Sequence, residues 1–132
     1  MDYVPQQELY DQLYIESENL GYTTYDHLPM RSENAEYPFV VLGSNQMITA
    51  NYKTAVGGHF SQTIDVWGDE EMRFTVTSML NKLNQLGQGY LVTDHFRFIG
   101  RVGQNDTQII QDTSVENTVL NHGILTLVFN LQ

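Results

Sequence analysis

The groups able to do chemistry in this chain are four histidines, His27, His59, His95 and His122, and an abundance of carboxylates. Two of the histidines follow an aspartate directly, as Asp26-His27 and Asp94-His95, which invites a reading as metal or general-base pairs. Neighbours on a strand point to opposite faces, so neither pair is expected to converge on a site by itself. No two histidines have the i, i+4 spacing that would put two metal ligands on one helix face. The sequence holds no cysteine, which excludes disulfides and thiolate ligands. It also lacks a phosphate-cradling glycine loop, a His-Glu-x-x-His motif and a Gly-x-Ser-x-Gly elbow. With sixteen acidic residues, chance pairs of carboxylates are expected and single out no glycosidase site. The expectation is a non-enzyme with neither cofactor nor metal.

Charge is the strongest compositional signal. Six Lys and Arg against sixteen Asp and Glu leave a net charge of −10. Nucleic-acid affinity comes chiefly from cationic side chains neutralising phosphates, so sequence-specific DNA binding is not expected. A hydrophobic content of 41% in 132 residues fits one globular domain, residues 1–132, large enough to bury a core unaided. No apolar run approaches the roughly 18 residues of a membrane span. The first residues, Met1-Asp2-Tyr3-Val4-Pro5, carry no basic flank or apolar signal core, which argues against a secretory signal.

The elements that must position any functional surface follow from periodicity. Leu9, Leu13 and Leu20 with Tyr10 and Tyr14 form one stripe over Pro5–Leu20, a helix stopped by Gly21. Thr23 to Pro29 reads as a short extended piece. Phe39 to Leu42 reads as a strand covered on both faces, and Phe60, Ile64 and Val66 alternate as in a half-buried strand. Between them lies a polar interval, Ser44 to Gly58, read as a long loop of roughly fifteen residues, where a hairpin turn needs about two to five. A second helix is expected from Asp69, as N-cap, to Leu86, with Met72, Val76, Met79, Leu80 and Leu83 inward. Phe74 falls about 200° away from Met72 on that helix. It is either a lone exposed aromatic or a contact for a partner. Leu91–Val102 is read as one strand, Thr107–Gln111 as a short one and Gly123–Leu131 as the last. The fold class is α+β: an antiparallel or mixed sheet with both helices on one face.

Three runs in order carry a resemblance: Tyr25-Asp26-His27-Leu28-Pro29, then Tyr37-Pro38-Phe39-Val40-Val41-Leu42-Gly43, then Thr63-Ile64-Asp65-Val66-Trp67 ahead of a helix. Together they resemble the tail-completion (tail-terminator, head–tail joining) proteins of long-tailed bacteriophages and prophages, over roughly residues 23 to 86. The resemblance implies a structural virion protein. It would form a hexameric ring at the head-proximal end of the tail tube, stop tube polymerisation and offer a surface to the head connector. Its partners would be copies of itself, the tail tube protein and the head-closure protein, with DNA passing the channel without specific binding. Under this reading, Met47, Ile48, Tyr52, Lys53 and Val56 in the long interval, with Phe74, are the interface candidates. Lys53 is the interval's only charge. The alternative reading is a small acidic module that binds or inhibits a basic partner protein.

Overall fold

The computed structural model describes residues 3–30, 33–51 and 56–132, with no description of the side chains of 48–51 and 56–58. The order is α1 (Pro5–Asn19), β1 (Thr24–Tyr25), β2 (Phe39–Asn51), β3 (Val56–Gly68), α2 (Arg73–Asn84), β4 (Tyr90–Val92), β5 (Arg97–Gly100), β6 (Asp106–Asp112) and β7 (Leu120–Leu131). The strands form one 7-stranded mixed sheet in the order β1-β2-β3-β7-β5-β4, with β6 also paired to β7. Only β1 and β2 run parallel; the other pairs are antiparallel.

Both helices cover the sheet face that carries Val40, Leu42, Phe60, Ile64, Val66, Leu125, Leu127 and Phe129, which join Leu9, Leu13, Val76, Leu80 and Leu83 in one core. The α+β class expected from the sequence is therefore the one observed. The closeness of α2 depends on glycine: a Cβ on Gly123 would lie 2.6 Å from Leu80 Cδ1 and 2.9 Å from Val76 Cγ1. Gly21 ends the first helix in the left-handed region, at φ 91°.

Several boundaries differ from the sequence reading. Leu20 is 38% exposed, while Ser17 completes the buried stripe of α1 through a 2.8 Å hydrogen bond with the Thr24 hydroxyl. Asp69 does not cap α2. Its carboxylate accepts from the Glu71 amide in a turn, and the helix starts at Arg73. The stretch 91–102 is a hairpin rather than one strand. Leu91 pairs with Phe98, and the Thr93 hydroxyl accepts from the Phe96 amide across the bend at Asp94-His95.

The largest correction concerns the interval 44–58. Asn45 through Asn51 and Val56 through His59 are strand, paired residue by residue from Asn45↔Gln62 to Asn51↔Val56. What reads as a polar loop is a polar two-stranded arm. Its sequence lacks the apolar–polar alternation that marks the other strands.

Candidate docking surface

The arm is launched by an irregularity in the sheet. Leu42 pairs with Ile64 and Asn45 with Gln62, so β2 carries one more residue than β3 between these pairs. Such a bulge changes which side chains face inward. Asn45 and Met47, instead of Ser44 and Gln46, thereby share the face of Gln62 and Phe60. Gln62 sits in the core row of β3 and is fully buried. Its Nε2 donates to the carbonyls of Gly43 (3.2 Å) and Thr63 (2.9 Å), and its Oε1 accepts from Asn45 Nδ2 at 2.7 Å. A buried amide thus satisfies the backbone that the bulge takes out of the ladder. Gly43 leaves little room there, since a Cβ would lie 3.1 Å from Asp65 Oδ2. Gln62 breaks the apolar alternation, and that break was the one signal of its role in the sequence.

Each of the two strands has 13 residues, and the part of β2 beyond the bulge, Asn45 to Asn51, spans about 23 Å at roughly 3.3 Å per residue. β7 follows β3 only as far as His59, opposite Asn130. On the other side β1 covers only Val40 and Val41, and the Gln6 side chain donates to the Asn45 carbonyl. Past these points the described arm has neighbours on neither edge.

Of the interface candidates, Met47 is 47% exposed on the arm and Phe74 is 83% exposed near the start of α2. Ile48 and Val56 lie on paired arm strands, opposite His59 and Asn51, but their side chains lie outside the described residues, as do Tyr52 and Lys53 altogether. Phe74 is not on the arm. It borders a separate hollow of about 560 Å³ with Tyr22, Tyr37, Met79 and Lys82. Two apolar side chains, one on the arm and one beside α2, are therefore exposed.

The face of the sheet away from the helices holds an apolar groove of about 390 Å³ floored by Tyr37, Phe39, Trp67 and Leu120. Beside it, the rings of Trp67 and His122 stack at 3.8 Å, and His122 Nε2 lies 2.7 Å from Asp65 Oδ1. The carboxylate and the indole face together fix the orientation of this ring.

The remaining histidines are also paired. His59 lies 2.6 Å from the Asn130 side-chain oxygen, with Arg101 against its ring, and His95 Nδ1 lies 2.9 Å from Glu8 Oε2 while Tyr3 stacks on it. Asp26 and His27 do touch, at 2.7 Å, contrary to the strand-based expectation. β1 ends at Tyr25, and the bend that follows turns both side chains the same way. Glu33 completes this exposed cluster, 3.3 Å from His27 Nε2 and accepting from the Met30 amide. Hydrogen bonds to the Asp26 and then the Glu33 carboxylate hold His27 above its ordinary pKa. Among the described residues no group of three or more His, Cys, Asp or Glu is arranged to hold a metal ion.

No protein-family model matches this sequence, and no curated protein matches it. In three dimensions the chain is similar to a chain in a solved structure of the virion of a native gene transfer agent (GTA) particle. The TM-score is 0.60 at 19% identity, over 96% of this chain and 93% of that one. The two share a fold along nearly their whole lengths.

Proposed function

We propose that this chain is a structural virion protein that forms a ring, a hexamer when assembled, on the head-proximal end of a phage-type tail tube. There it ends tube polymerisation and presents the surface to which the head connector joins. The observation that carries this reading is the likeness in fold, over 96% of this chain, to a chain of a GTA virion. The ordered motifs from Tyr25 to Trp67 and the protruding arm support it.

A tube terminator must bind a tube end without offering the same end again. An arm running about 23 Å past the bulge and an exposed aromatic provide contacts in two directions, one along the arm and one beside α2. The net charge of −10 gives a ring of such chains a negative lumen, past which DNA slides rather than adheres.

The test is addition of the purified full-length chain to tail tubes that are still elongating from purified tube protein. Growth should stop, and electron micrographs should show a ring at one tube end only. Unchanged tube growth with the chain in excess would refute the proposal.

A further inference from the structure

We propose that the outer edge of β6 receives the β2 edge of the arm of a neighbouring copy, so that the sheets of adjacent subunits join into one. The inference rests on the ring reading and names the contact that would close it.

β6 has 7 residues, Asp106-Thr107-Gln108-Ile109-Ile110-Gln111-Asp112, and pairs with β7 on one side only. Five of the seven are exposed, and Ile110 is 37% exposed. Natural sheets guard such edges with lysine, proline, bulges or a covering element. β6 has no lysine or proline and pairs with β7 in unbroken register. Among the described residues, no backbone hydrogen bond reaches its outer side.

The same chain carries a second open edge of equal length. Among the described residues, the outer side of β2 from Asn45 to Asn51 is unpaired beyond the Gln6 contact at Asn45. A two-stranded ribbon is at best marginally stable alone, so an arm that leaves its own sheet gains most from a third strand. Charge favours this match. Residues 44–58 hold a single charge, a lysine, whereas β6 is bounded by Asp106 and Asp112 and has no cation. Asp112 is kept ionised by the Ser114 hydroxyl and amide, both of which donate to it. The two edges lie on different strands of one chain, so their pairing is head-to-tail, the kind that builds rings.

The absence of cysteine makes introduced thiols the only ones present. Full-length Gln46→Cys/Gln108→Cys and the register-shifted pair Gln46→Cys/Ile110→Cys would be assembled on tail tubes and mildly oxidised. A ladder of covalent oligomers up to the ring size is expected from at least one pair. Each single variant can yield only dimers. Adding Gln111→Lys and Thr107→Lys to the β6 edge should abolish the ladder while leaving the melting temperature of the free chain unchanged. Rings visible in micrographs without a ladder from either pair, or a ladder that survives the edge lysines, would overturn this inference and leave the ring reading standing. Absence of rings from the wild-type chain would overturn both.

Discussion

Replacing Gln62 with leucine tests how the arm is held. The substitution keeps the volume of a fully buried side chain and removes only its polar atoms. Three hydrogen bonds disappear, to the Gly43 carbonyl, the Thr63 carbonyl and Asn45 Nδ2. Each is worth about 1 kcal/mol net, and more where the partner stays buried and unpaired. The Asn45 side chain suffers most, because its Oδ1 already has no partner and its Nδ2 would lose its only one. The expected destabilisation is about 3 kcal/mol. An unfolding entropy of about 2.1 cal/mol/K per residue gives a Tm lowered by about 11 °C for 132 residues. Thermal unfolding followed by circular dichroism would measure it, with Gln46→Leu on the exposed side of β2 as the control. A Gln62→Leu protein melting within about 2 °C of the wild type would refute the claim that this amide secures the bulge.

Gly123→Ala should cost about 1–3 kcal/mol, because the new methyl meets Leu80 and Val76 of α2 at 2.6 and 2.9 Å. A denaturant midpoint equal to the wild type's would contradict that packing. Phe74→Ser should leave stability within about 0.5 kcal/mol of the wild type, since the ring is 83% exposed, yet reduce retention on tail tubes in a pelleting assay. Full retention would remove Phe74 from the docking surface. The Asp26–His27–Glu33 cluster should make the bend it ties pH-dependent. His27 is raised above 6.5, so its contribution is complete below that pH and is lost as pH rises through the folded value. Asp26 is lowered by His27, and Glu33 by the Met30 amide and then His27; their contributions are complete above about pH 4.5 and are lost as pH falls through the lowered values. Exchange protection of the Met30 amide, corrected for intrinsic rates, should therefore be greatest between about pH 4.5 and 6.5 and flatten on its basic side in His27→Ala. An identical profile in the variant would disprove the coupling.

Much of the fold was legible because burial writes itself into periodicity. Leu9 and Leu13, Val76 through Leu83, and Leu125 through Phe129 all point where their spacing said they would. The failures share one cause. Where tertiary structure, rather than an apolar face, dictates conformation, the local signal is silent. The arm is strand with a polar sequence, so Ser44 to Gly58 looks like loop chemistry. Ser17 and Gln62 occupy core positions as polar groups that pair with their own neighbours, Ser17 with Thr24 and Gln62 with the bulge. The break at Asp94-His95 depends on Glu8, far away in sequence, whose carboxylate accepts from the His95 amide and the Thr93 hydroxyl. Of the interface candidates, Met47 stood out as an apolar residue in the polar interval and Phe74 by its place off the apolar face of its helix, and both are exposed. The free edge of β6 left no mark in composition, because a missing neighbour is a property of sheet order and not of residue type.

The most direct test of a tail-ending role is electron microscopy of particles produced after deletion of this reading frame. Overlong tails of variable length beside filled, unjoined heads are the predicted result. Normal, joined virions with tails of uniform length would contradict it.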